Sequence, residues 1–123
     1  MGGSPVRSHR DLIAWQKAID LAEACYLLTS QFPKDELYGL TSQTRRAAVS
    51  VAANIAEGYG RQTKPAHLSF LRIARGSLRE LETHLIIADR IRLAEAAPLA
   101  ALLEKCDEQA RILHALIEKL ERQ

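Results

Sequence analysis

At 123 residues, with 47% hydrophobic and 26% charged side chains, the chain is long enough for one packed domain and too apolar to stay disordered. A net charge of +2 selects no class of partner, and two cysteines are too few for a disulfide framework. Cys25 and Cys106 read as buried thiols of a reducing compartment, and no apolar run has the length of a membrane span. The expectation is a cytoplasmic protein with no membrane partner and no secretory signal.

The positive charge is concentrated in the middle of the chain. Residues 41–92 carry nine basic and four acidic side chains, whereas 1–40 carry four and five, and 93–123 carry four and six. Twelve of the seventeen cations are arginine, the side chain suited to bidentate contact with phosphate or carboxylate.

Residues 1–10 read as a flexible tail and residues 11–123 as one four-helix domain. The first helix opens at Asp11, a good N-cap, and runs to about Ser30. Leu12, Trp15, Ile19, Ala22, Tyr26 and Thr29 recur at helical steps and predict its core face. Phe32-Pro33-Lys34-Asp35 ends it. The second helix starts between Asp35 and Tyr38 and reaches Tyr59, with Leu40, Ala47, Val51 and Ile55 as its core stripe. Ala48, Val49, Ala52, Ala53 and Ala56 make it apolar nearly all round, the pattern of a helix buried on more than one side. Gly58-Tyr59-Gly60 reads as a left-handed C-terminal corner.

The third helix has Thr63 as N-cap and Pro65 in its first turn, and it extends to about Ile91. Its seam is Leu71, Ala74, Leu78, Leu81, Leu85 and Ala88. After a short link at Arg92 to Ala94, the fourth helix starts between Glu95 and Pro98. Its stripe is Leu99, Leu102, Cys106, Ala110, Leu113, Ile117 and Leu120. Four long amphipathic helices on short links predict an all-α, antiparallel up-down-up-down four-helix bundle.

Three runs carry a resemblance: Asp11-Leu-Ile-Ala-Trp-Gln-Lys-Ala18, Asn54-Ile-Ala-Glu-Gly-Tyr-Gly-Arg61 and Ala74-Arg-Gly-Ser-Leu-Arg-Glu-Leu-Glu-Thr83. Together with Phe32-Pro33 and Leu40-Thr-Ser-Gln-Thr-Arg-Arg46, they resemble bacterial four-helix-bundle proteins encoded in intervening sequences of large-subunit ribosomal RNA genes. The likeness covers about residues 11 to 92; the fourth helix matches only in pattern. It implies a ring-like homopentamer. The architecture is also similar to the accessory proteins of diversity-generating retroelements, basic pentamers that engage nucleic acid and a reverse transcriptase. No activity follows from the resemblance.

On a helical wheel at ~100° per residue, Arg61, Lys64, Arg72, Arg75 and Arg79 gather on one flank of the third helix. With Arg45 and Arg46 of the second helix they form a candidate surface for RNA or DNA backbone. The competing expectation is internal pairing, with Arg72, Arg75 and Arg79 held by Glu57 or by carboxylates of a neighbouring subunit. The protein is then a protein–protein interaction scaffold. Six aromatics, with Trp15 and Tyr26 assigned to the core, are too few for a base-stacking platform. A helix-turn-helix is disfavoured because the helices are too long and their corner too close to antiparallel.

Asn54, Glu57 and Gly58 predict a structural polar network that fixes helix register, with Glu57 as a general base the weaker alternative. Gly58 and Gly76 are expected to serve turning and close packing. Glu-x-x-His is absent before His67, His84 and His114, and Gly58 to Lys64 lacks the pattern of a phosphate-binding loop. No catalytic residue, metal or cofactor is therefore expected. Ile73, Ile87 and Ile91 lie off both the seam and the arginine flank, and predict a cyclic homo-oligomer interface. The alternative is a thicker core that buries the third helix on two sides.

Overall fold

The computed structural model describes residues 6–123; the first five residues of the expected tail lie outside that range. The described chain is all-helical, with four long helices: α1 (Ile13–Thr29), α2 (Ser42–Tyr59), α3 (Lys64–Arg90) and α4 (Ala96–Glu121). In its principal contacts α1 packs against α2 and α4, and α3 against the same two. Cross-contacts run in reversed order along neighbours. Arg46 and Ser50 of α2 meet Glu80 and Ser77 of α3, and Ala14 and Lys17 of α1 meet Gln109 and Glu108 of α4.

The predicted α3 seam is buried in full, from Leu71 to Ala88. Each of its leucines contributes about 1.5–3 kcal/mol on leaving water. The helix opens as expected, with the Thr63 side chain accepting from the Ala66 amide at 3.3 Å and Pro65 in the first turn. The α4 stripe is also inside, Ala110 and Leu120 only partly, and the buried Gln109 joins it. Gln109 donates to the Ala14 carbonyl at 2.9 Å and so ties α4 to the first turn of α1.

The predicted face of α1 is rotated. Its buried residues are Ala14, Ala18, Leu21, Cys25, Leu28 and Thr29, whereas Ile19 and Tyr26 remain 42% and 45% exposed. Leu12, Trp15 and Ala22 are partly buried at the edge. The helix is apolar over most of its circumference, so two phases satisfy three- and four-residue spacing. Packing selects the phase that puts Ala14, Ala18, Leu21, Cys25 and Leu28 inside, with Ala14 meeting Gln109 of α4.

Two boundaries also differ. Ser8 to Asp11 is a capped turn rather than tail: the Ser8 hydroxyl accepts from the Arg10 amide and the Asp11 carboxylate accepts from the Arg7 and Ser8 amides. The His9 ring meets Trp15 edge-on at 5.1 Å between centroids. The stretch expected to begin the second helix forms a 3-10 turn, Lys34–Glu36, and a π turn, Leu37–Thr41, before α2 starts at Ser42. Gly39 breaks the helical path there, at φ −107° and ψ −113°.

The left-handed corner falls elsewhere than expected. No described glycine has positive φ, and Gly60 ends α2 at φ −77°. Arg92 instead takes φ 58° after α3, and the Leu93 amide returns to the Ala88 carbonyl at 2.9 Å, closing the helix end.

Candidate functional site

The seven cations predicted to form one basic surface are divided by their partners. Arg45 turns toward α1, donating to the Thr29 hydroxyl at 2.8 Å and lying over the Tyr26 ring at 4.7 Å. Arg46 pairs with Glu80 of α3 and donates to Gln43. Arg61 pairs with Glu57 at 2.8 Å and covers the Phe70 ring. Arg72 reaches Glu121 of α4 at 2.7 Å. Among the described residues, Lys64, Arg75 and Arg79 have no carboxylate within 4.0 Å.

Arg75 and Arg79 point to the α4 flank of α3, where they line a cleft of about 400 Å³ together with Arg111 and His114 of α4. Leu78 and Ala110 form its apolar floor, and Glu82 is its one carboxylate. Arg111 has no carboxylate within 4.0 Å among the described residues, while His114 lies 3.5 Å from Glu118. Side by side on α4, Glu104, Asp107 and Glu108 line a second depression together with Lys105, and it shares Arg111 with the first; Glu108 is paired with Lys17 at 3.7 Å. Surface guanidinium–carboxylate pairs such as Arg72–Glu121 stabilise by only about 0–1 kcal/mol. The three unpartnered guanidiniums therefore concentrate charge at little structural gain. Besides Lys64 at the start of α3, the predicted cations without a carboxylate partner among the described residues, Arg75 and Arg79, lie on the flank of α3 that faces α4, whereas Arg46, Arg61 and Arg72 are paired.

Arg111 and His114 escaped the sequence reading because they lie on another helix. Only the pairing of α3 with α4 brings them to Arg75 and Arg79.

The polar network is smaller than expected. Asn54 donates to the Ser50 carbonyl at 2.8 Å and to the Ser50 hydroxyl at 3.0 Å, and Ser50 shares a hydrogen bond of 2.8 Å with Ser77 of α3. Glu57 stands outside it, exposed and bound to Arg61 rather than to Arg72, Arg75 or Arg79. Its single helical turn from Arg61 makes that pairing the shorter reach. Gly58 is buried, and a Cβ there would lie 3.0 Å from the His67 ring and 3.1 Å from the Phe70 Cβ, so it serves close packing. A Cβ at Gly76 would meet nothing within 4 Å among the described residues.

Burial holds the His67 imidazole below its ordinary range, and its Nε2 is buried without a hydrogen-bond partner. Cys25 and Cys106 are free and buried, and burial pushes both thiols up to about 12. Ile73, Ile87 and Ile91 are 48%, 43% and 55% exposed, and Ile86, absent from the sequence-based set, is 43% exposed. Among the described residues no cluster of three metal-ligating side chains occurs, and no helix is long and apolar enough to cross a membrane.

Among the described residues, four long helices without a strand, with an arginine-edged cleft between the last two, define an all-α protein. The chain belongs to the 23S rRNA-intervening sequence protein family, which it matches over residues 10–115. It is similar in structure to a protein of unknown function from the S23 ribosomal protein family of Bacteroides thetaiotaomicron VPI-5482, solved by crystallography at 1.70 Å. The TM-score is 0.78 at 21% identity, covering 85% of this chain and 98% of that one, so the likeness speaks for the fold alone. No curated protein matches the chain significantly.

Proposed function

We propose that this protein is a non-catalytic, up-down-up-down four-helix bundle that assembles as a cyclic homo-oligomer and binds the backbone of RNA or DNA through arginines of α3 and α4. The observation that carries the reading is that Arg75, Arg79 and Arg111 line one cleft with a single carboxylate, Glu82, and none of the three has a carboxylate within 4.0 Å among the described residues. Like charges held together in this way gain from an anion, and arginine suits phosphate oxygens. Exposed Ile73, Ile87 and Ile91 support self-association, because apolar surface of this kind gains from cover by another copy.

The test is a titration of duplex DNA and structured RNA across a salt series. Affinity is expected to fall steeply with salt, roughly one logarithmic unit of slope per phosphate neutralised. Absence of binding at low salt, or binding indifferent to salt, defeats the proposal. A protein–protein scaffold is the second reading, favoured by the carboxylate partners of Arg46, Arg61 and Arg72.

A further inference from the structure

The basic cleft between α3 and α4 is bounded. At one end Arg72 is occupied by Glu121. On the other side of Arg111, α4 presents Glu104, Asp107 and Glu108 around Lys105, and Glu108 is paired with Lys17 at 3.7 Å, which leaves a small acidic excess. A strand laid across the cleft and continuing along α4 would bring its next phosphates against Glu104 and Asp107, which outnumber Lys105 there. Like-charge contact of this kind costs affinity instead of adding it. The cations therefore form a stop rather than a track.

The charge inside the cleft fits a particular anion. Three arginines, Arg75, Arg79 and Arg111, and one carboxylate, Glu82, line the cleft. A phosphodiester carries a single negative charge, whereas a phosphate monoester carries about 1.5 to 2 near neutral pH and offers three acceptor oxygens. Guanidiniums from two helices can approach those oxygens from different sides. The volume of about 400 Å³ lies in the range of small-ligand sites, and the floor of Leu78 and Ala110 gives an attached organic group apolar surface to rest on.

We propose that this cleft is a discrete site for a terminal phosphate monoester on a nucleoside. That chemistry is shared by the 5′-phosphorylated end of a nucleic-acid strand and by a free nucleotide. Arg75, Arg79 and Arg111 bind the phosphate, and the acidic surface of α4 turns away a strand that continues past it. The cleft as an anion site stands on its own geometry; only the strand as the ligand's source rests on the proposed nucleic-acid function.

The test compares fluorescence-anisotropy titrations of one oligonucleotide, labelled at its 3′ end and carrying either a 5′-phosphate or a 5′-hydroxyl. A nucleoside monophosphate serves as competitor and as the added ligand in thermal melts. The phosphorylated end is expected to bind at least about tenfold tighter. Arg111→Gln should abolish that difference while leaving the melting temperature without ligand unchanged, because Arg111 is exposed and pairs with no carboxylate. Equal binding of both ends, weakened equally by Arg111→Gln, overturns this proposal and keeps the backbone-binding function. If neither oligonucleotide binds but the monophosphate raises the melting temperature of the native protein and not of Arg111→Gln, the site stands with a free nucleotide as its ligand and the nucleic-acid function falls. No end preference and no monophosphate-induced shift overturn the site itself.

Discussion

Arg92 holds a backbone conformation that L side chains adopt only at a cost of roughly 1–2 kcal/mol, and it does so to close α3. Arg92→Gly should therefore raise stability by about 1 kcal/mol, read as a higher denaturant midpoint at unchanged slope. Gly58→Ala should do the opposite, by about 1–3 kcal/mol, since its methyl would meet the His67 ring and Phe70 Cβ at 3.0 and 3.1 Å. His67 contributes a pH dependence of definite sign. Its folded pKa lies below the ordinary value of 6.5, so between the two values the unfolded chain binds more protons than the folded one. Stability is unaffected by this group well above 6.5, declines as pH drops through that value, and levels off below the folded pKa. Chemical denaturation between pH 8 and pH 5 should show the decline, and His67→Gln should flatten it.

At the scale of elements, how much was legible depends on contrast around each helix. The six-residue seam of α3 alternates with arginine and glutamate, so only one phase buries it, and the structure buries all of it. On α1 the wheel offers apolar residues in nearly every direction. Polarity alone then does not decide: Ala14, Ala18, Leu21 and Leu28 go inward while Ile19 and Tyr26 stay out. That choice depends on α4, with Gln109 reaching the Ala14 carbonyl, and no reading of α1 alone contains it. The candidate site follows the same rule. Arg75 and Arg79 were legible as neighbours on one helix. Their separation from Arg46 and Arg61, and their meeting with Arg111 and His114, are consequences of which flank of α3 faces α2 and which faces α4. The break before α2 did have a local signal, Gly39, inside the stretch read as continuous helix.

At the scale of the molecule, Ile73, Gly76, Ile87 and Ile91 recur at helical steps along one line of α3, at ~100° per residue, where Gly76 meets nothing within 4 Å. In an isolated chain Gly76→Ala should stabilise the helix by about 0.5–1 kcal/mol. If this line is covered by another copy, the added methyl and Ile87→Asp should instead both lower the molar mass measured by light scattering at micromolar concentration. A mass that is unchanged in both variants removes these isoleucines from the interface.

The two thiols give the folded state an internal clock. Cys25 sits on α1 and Cys106 on α4, both sealed in the interior and both far from ionising at neutral pH. An alkylating reagent can capture them only after α1 and α4 part, so the labelling rate at low reagent reports the rate or population of that opening. Native protein should react orders of magnitude more slowly than protein in denaturant. Any anion that seats itself on the closed form should slow capture further, in proportion to its occupancy. A solution of this protein thus carries its own binding assay, with no label attached to either partner until the moment it opens.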